Sequence, residues 1–238
     1  MGLATGALRS ALQPRDRGVV LLLGLLGNTL FHTLMVSGIH HTSPAHAALL
    51  IALSPVLAAL LAWLLHAEPL GARRMAGVTL AFAGVALIVA RGSQGSPSML
   101  GDLLCLGASL SWALYTVVGK PLLSRATPLA VTAWATLFGV IPMLPLGLPG
   151  LFQVGWNRLS VGEWLLLAYL SAGTIAVANL LWYVALARTA TARVVAFSFL
   201  VPVIATTIAV LAGQETLTPS FALGAVAVLG GVAVTQRT

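Results

Sequence analysis

The side chains able to do chemistry in this sequence are few, and they sit inside long apolar runs. Asn28 and His32 lie one helical turn apart in the first run. Cys105, Ser109, Trp112 and Thr116 follow at spacings of four, three and four, with Tyr115 adjoining. Asn179, Trp182 and Tyr183 form a third group. Spacings of three and four put side chains on one face of a helix. Polar groups are costly in hydrocarbon, so such faces turn toward other helices or a wetted cavity. A lining of Trp, Tyr, Ser and Asn suits a small solute with an apolar part and hydrogen-bonding groups. Asn28, His32, Ser109, Trp112, Tyr115, Asn179, Trp182 and Tyr183 are therefore read as the solute-contacting set. For any single member, hydrogen bonding between helices explains the residue equally well.

Other chemistries find little support. His32 has the ring to carry a proton, but no Asp or Glu lies deep within an apolar run, and Asp102 is near an end. His40, His41 and His46 cluster at a turn without a Cys or an acidic neighbour, which reads as a solvated loop and not a metal site. There is no H-E-x-x-H, no G-x-S-x-G and no pair of intramembrane aspartates. The sequence gives no reason to expect an enzyme, a cofactor or a bound metal.

These groups must be positioned by membrane helices. The chain has 238 residues, 59% hydrophobic and 7% charged, where soluble domains carry about 25% charged residues. Mean hydropathy is +1.01. A bilayer core about 30 Å thick needs roughly 20 helical residues. Eight spans meet that need: 18–37, 44–65, 72–91, 100–119, 128–148, 163–186, 191–212 and 219–236. None alternates strictly, which argues against a β-barrel. The prefix "MGLATGALRSALQPRDRG" lacks a signal-peptide pattern. The net charge of +7 comes from short loops, so it reads as a topological signal and not as a nucleic-acid surface. With both termini in the cytoplasm, Arg9, Arg15, Arg17, Arg73, Arg74, Lys120, Arg125, Arg188, Arg193 and Arg237 all fall inside, leaving Arg91 and Arg158 outside. The expectation is a multi-pass protein of the cell's inner (plasma) membrane.

The chain also writes one line twice. "LSPVLAALLAWLLHAEPL" begins at Leu53 and "LVPVIATTIAVLAGQETL" at Leu200. Pro55 matches Pro202, Glu68 matches Glu215, Gly77 matches Gly224 and Gly84 matches Gly231, each 147 positions apart. His32 and Asn179 are counterparts in the same register. Spans 44–65 and 191–212 are second and seventh, so they cross in opposite directions. The two copies are then related by an axis in the membrane plane, a recurring design of secondary transporters. Pro55 and Pro202 free the carbonyls of Ile51 and Ser198, which marks both as candidate hinges. Gly77, Ala81 and Gly84 share a face suited to close helix packing.

"ALSPVLAALLAWLLHAEPLGARRMAGVTLAFAGVALIVARG" resembles the end of an EamA-type repeat of the drug/metabolite transporter superfamily, as does "VPVIATTIAVLAGQETLTPSFALGAVAVLGGVAV". "GDLLCLGASLSWALYTVVGK" resembles the first helix of a second repeat. The resemblance implies an all-α integral membrane protein of ten helices, as two inverted repeats of five, that exports or exchanges small metabolites such as amino acids or drug-like compounds. The chain departs from that pattern in having eight helices. The counterparts of spans 100–119 and 128–148 fall before residue 1. The sequence is therefore read as an incomplete first repeat over 1–92 and a complete second repeat over 93–238, a shortened ten-helix bundle lacking the first two helices. The alternative is a non-transporting membrane scaffold or an inactive truncated fragment.

Overall fold

A computed structural model describes residues 13–42, 44–65, 71–89, 98–211 and 219–236. Among the described residues there are helices and turns and no strand. Four helices are long and apolar enough to cross a bilayer: α1 (Pro14–His41), α5 (Met99–Ser124), α6 (Pro128–Gln153) and α7 (Val161–Arg188). Between α1 and α5 lie α2 (Pro44–Ile51), α3 (Ser54–Leu64) and α4 (Ala72–Val89). After α7 come α8 (Thr191–Ala196), a tight turn over Phe197–Phe199, α9 (Leu200–Leu211) and α10 (Pro219–Gln236). Each predicted span is largely helical where it is described, with a turn at Ala52–Leu53 inside the second. Glu68 and Glu215 lie outside the described residues, as do the side chains of His46 and Pro202.

Local sequence explains the helix ends. Thr127 caps α6: its Oγ1 accepts from the Ala130 N–H at 3.3 Å, and Pro128 takes the first helical position, where a missing N–H costs nothing. At the start of α7, Ser160 accepts from Glu163 N–H while the Glu163 carboxylate accepts from Ser160 N–H, a reciprocal cap. The sequence placed the end of the fifth span at 148. The structure carries α6 on to Gln153, through Pro142, Pro145 and Pro149. In a membrane helix such prolines bend the chain without ending it. Trp156 and Trp164 lie with ring centroids 5.9 Å apart just beyond, and Phe152 is 84% exposed; aromatic side chains of this kind favour the membrane–water boundary.

The chain forms two compact units. One comprises residues 1–30 and 118–188. In it α1 and α6 run parallel and approach closely at Gly24 and Gly139. A Cβ at Gly24 would stand 2.6 Å from the Ala135 carbonyl oxygen, and one at Gly139 would stand 2.5 Å from the Gly24 carbonyl oxygen. Only glycine tolerates that spacing. The face of α7 in this unit is largely exposed, with Val161, Leu165 and Tyr169 among its outward side chains.

The other unit comprises residues 31–117 and 189–238. Its core gathers Ala59, Val78, Ala81, Val85, Ala192, Ala196, Phe199, Val228 and Val232. Here α4 and α10 form the most extensively packed pair. They run antiparallel: Gly77 faces Gly231 and Thr235, and Gly84 faces Gly224 and Val228. A Cβ at Gly231 would stand 2.5 Å from both Ala81 N and the Gly77 carbonyl oxygen. The second half of α1 and the first half of α5 also run antiparallel, with Gly38 against Cys105 and Gly101 against His41.

Candidate functional site

Two π-helical turns shape the helices that carry the polar set. One covers Leu25–Leu30 in α1 and the other Tyr169–Val177 in α7. A π turn adds a residue to the helical repeat and often marks a functional segment. It also rotates everything that follows. Asn28, within the first π turn, is buried and donates from Nδ2 to the Ala135 carbonyl at 3.4 Å. Its neighbour Thr29 donates from Oγ1 to the Gly139 carbonyl at 2.7 Å. His32, one position beyond Phe31, is half-buried and belongs to the other unit.

In that second unit the structure brings several predicted residues together. The rings of His32, Phe31, Trp112 and Tyr115 form a chain. Phe31 meets His32 edge-on at 5.0 Å and Trp112 at 5.0 Å, and Trp112 lies 5.2 Å from Tyr115. Tyr115 is buried, whereas Phe31, His32 and Trp112 are half-buried. Such ring chains combine apolar area with polar tips and cohere through tilted and edge-on contacts. Ser109, fully buried, donates its hydroxyl to the Leu50 carbonyl. Phe31 carries no polar group, so spacing alone did not single it out.

Asn28, Asn179, Trp182 and Tyr183 fall in the first unit. Asn179 and Tyr183 are buried and Trp182 is half-buried. Tyr183 lies against Gly119, where any side chain would collide with its ring.

The second span is interrupted just before Pro55. Helix stops at Ile51, Ala52 and Leu53 form a turn, and α3 begins at Ser54. Leu53 N–H reaches back only to the Leu50 carbonyl, at 3.2 Å, a tighter turn than an α-helix makes. The corresponding stretch of the seventh span holds the 3₁₀ turn Phe197–Phe199.

One charged group escaped the sequence reading. Asp16 has no solvent exposure, and its Oδ1 accepts from Arg125 Nε at 2.9 Å. The carboxylate lies 109 positions from its partner, so no local pattern announces it. Among the described residues no group of three or more His, Cys, Asp or Glu could hold a metal ion.

The sequence pattern of the EamA-like transporter family matches residues 3–90 and again 99–237. An uncharacterized transporter of Bacillus subtilis, YyaM, is 28% identical over 89% of this chain and 70% of its own length. A probable terminal-alkyne amino-acid exporter of Streptantibioticus cattleyicolor is 30% identical over 94% of this chain and 75% of its own. A solved crystal structure superimposes with a TM-score of 0.80 at 25% identity, covering 99% of this chain and 80% of that one. With its apolar helices and a family match along nearly its whole length, the chain is an integral membrane protein of the EamA-like transporter family.

Proposed function

We propose that this chain is a secondary transporter that exports or exchanges a small amphipathic solute, such as an amino acid or a drug-like compound, by alternating access between two inverted repeats. The observation that carries this reading is the α4–α10 seam. Gly77 faces Gly231 and Gly84 faces Gly224, and the 147-position register exchanges one pair for the other. Antiparallel helices whose contacts exchange in this way are what a two-fold axis in the membrane plane requires. The π turns add support: Leu25–Leu30, moved on by 147 positions, falls at 172–177 within Tyr169–Val177. The family pattern also matches in two segments, near the proposed repeats 1–92 and 93–238.

The packing directions support eight crossings. First and fifth spans should run parallel, as α1 and α6 do. First and fourth should run antiparallel, as should third and eighth; α1 with α5 and α4 with α10 agree. Counting α2 and α3 as separate crossings would reverse the relation of α1 to α5. The proposed orientation has both termini in the cytoplasm, from the positions of Lys and Arg. The membrane is the cell's inner membrane.

The proposed solute contacts are His32, Trp112 and Tyr115 in one unit, and Asn28, Asn179, Trp182 and Tyr183 in the other. The amino-acid assignment follows from the relative named as an amino-acid exporter. The test is exchange of a radiolabelled amino-acid mixture by the purified chain in proteoliposomes. Protein-dependent flux that Trp112→Ala diminishes supports the reading. Absence of flux for amino acids and for cationic drugs alike favours a scaffold role and overturns it.

A further inference from the structure

The break between α2 and α3 leaves backbone groups that need partners from outside the segment. Pro55 has no N–H to give the Ile51 carbonyl. Leu53 takes a tight turn back to Leu50. An apolar surrounding supplies no water to complete the bonding, so a side chain of a neighbouring helix must. At the edge of this break Ser109 on α5 donates its hydroxyl to the Leu50 carbonyl, the same oxygen that Leu53 N–H reaches. Two turns nearer the start of α5, Asp102 Oδ1 accepts from the Thr42 hydroxyl at 2.6 Å. Thr42 directly follows α1, two positions ahead of α2, and Leu50 lies in the last turn of α2. The half-helix is therefore tied to α5 at its end, and the chain leading into it is tied to the same helix. Between the ties, Gly38 of α1 lets Cys105 approach so closely that a Cβ there would stand 3.0 Å from the Cys105 N. Toward α3, by contrast, α2 is continued only through Ala52 and Leu53.

A half-helix bonded to one neighbour in its last turn, entered by chain bonded to the same neighbour and joined to the next element by a two-residue turn, follows the neighbour. We propose that Ser109 is a positioning residue of the transport cycle: its hydrogen bond to Leu50 couples α2 to α5, so that the second crossing flexes at Ala52–Leu53 when the bundle changes its opening. This rests on the transporter reading above, and it gives Ser109 a role at the hinge in place of a role at the solute. The hydroxyl proton is already committed to a backbone oxygen, so the remaining capacity of Ser109 toward a solute is that of an acceptor.

The test uses the full chain in proteoliposomes with Ser109→Ala, Pro55→Ala and the double variant. Hydrogen exchange is read over residues 44–53, and turnover and KM are read with the radiolabelled amino-acid mixture. Ser109→Ala should speed exchange at 44–53 about tenfold, the scale set by a lost buried hydrogen bond, while exchange over 72–89 stays unchanged. Pro55→Ala restores an N–H for the Ile51 carbonyl and lets the helical ladder close. In that background Ser109→Ala should add less than about twofold, because the two changes act on one element. Turnover should fall in Ser109→Ala with KM unchanged. Should Ser109→Ala not fold, Ser109→Cys, which keeps the side chain's shape and weakens the donor, reads the same exchange. Unchanged exchange at 44–53, an undiminished effect of Ser109→Ala beside Pro55→Ala, or a raised KM at constant turnover would each overturn the proposal. If the wild-type chain moves no labelled solute, the transport reading fails, and the exchange measurements still decide the coupling of α2 to α5.

Discussion

Replacing Gly231 by Ala tests the α4–α10 seam with a single methyl group. That methyl would stand 2.5 Å from Ala81 N, 2.5 Å from the Gly77 carbonyl oxygen and 2.8 Å from Ala81 Cβ, where ordinary contact begins at 3.4 Å. Two of the three neighbours are backbone, which no rotamer change can move. The helices must therefore separate by nearly an ångström along much of their length. A gap of that size forfeits a quarter to a half of each contact's attraction, and overpacking of this kind costs about 1–3 kcal/mol. Replacing glycine in a helix also brings a gain of about 0.5–1 kcal/mol, which masks part of the loss. Gly230→Ala removes that ambiguity. It carries the same helical gain, but its methyl meets only Leu80 Cδ2, at 3.9 Å. The difference between the two variants isolates the seam. At about 2–4 °C per kcal/mol for a chain of this size, Gly231→Ala should melt roughly 2–12 °C below Gly230→Ala in detergent. Gly84→Ala, whose methyl would stand 2.6 Å from the Gly224 carbonyl oxygen, should behave like Gly231→Ala. Equal melting temperatures for Gly231→Ala and Gly230→Ala would refute the packing argument.

Trp112→Ala should lower solute flux more than it lowers expression, since it removes the middle ring of the Phe31–Trp112–Tyr115 chain; unchanged flux in a Trp112→Ala, Asn179→Ala double variant would exclude both from the solute path. With Cys105 replaced, a cysteine at position 41 should react with membrane-impermeant reagents added outside cells, and reaction only from the cytoplasmic side would reverse the topology. Arg125→Met leaves the buried Asp16 carboxylate without its cation. It should cost about 2 kcal/mol, between the limits for exposed and buried pairs because Arg125 is partly exposed. Asp16→Asn in the same chain should recover part of that loss, as read by thermal unfolding.

The all-helical, apolar character was legible because hydrocarbon imposes a composition that survives in any sequence. Pro55 marked a bend in the second span, since one missing N–H frees one carbonyl; that the helix stops at Ile51 and restarts at Ser54 was not legible. The faces of the helices were less legible. Pairing Asn28 with His32 assumed an unbroken 3.6-residue repeat. The π turn at Leu25–Leu30 changes that repeat, and Asn28 points to Ala135 while His32 stacks on Phe31. "LLGNTL" carries no compositional mark of a π turn. Asp16 lay in a prefix read as a loop, and only the fold brings Arg125 to it. Ser109 was correctly picked as a buried polar group, but spacing does not say whether a hydroxyl meets a solute or a carbonyl. The extension of α6 past residue 148 and through Pro149 reflects a propensity rule from water that membranes relax.

Helices α4 and α10 also carry matching glycines 147 positions apart. Such a contact is the kind two separate copies of one chain make when they associate: the same patch meets itself, and each residue's partner has the reciprocal partner on the other side. A substitution arising in one half therefore changes the surface against which that half's own duplicate must pack. Away from the seam the halves can diverge independently, as the outward side chains of α7 do from those of α1. At positions 77, 84 and 231 they cannot, because a side chain at any one of them strikes the opposite backbone. The matched glycines are thus held where the two helices touch.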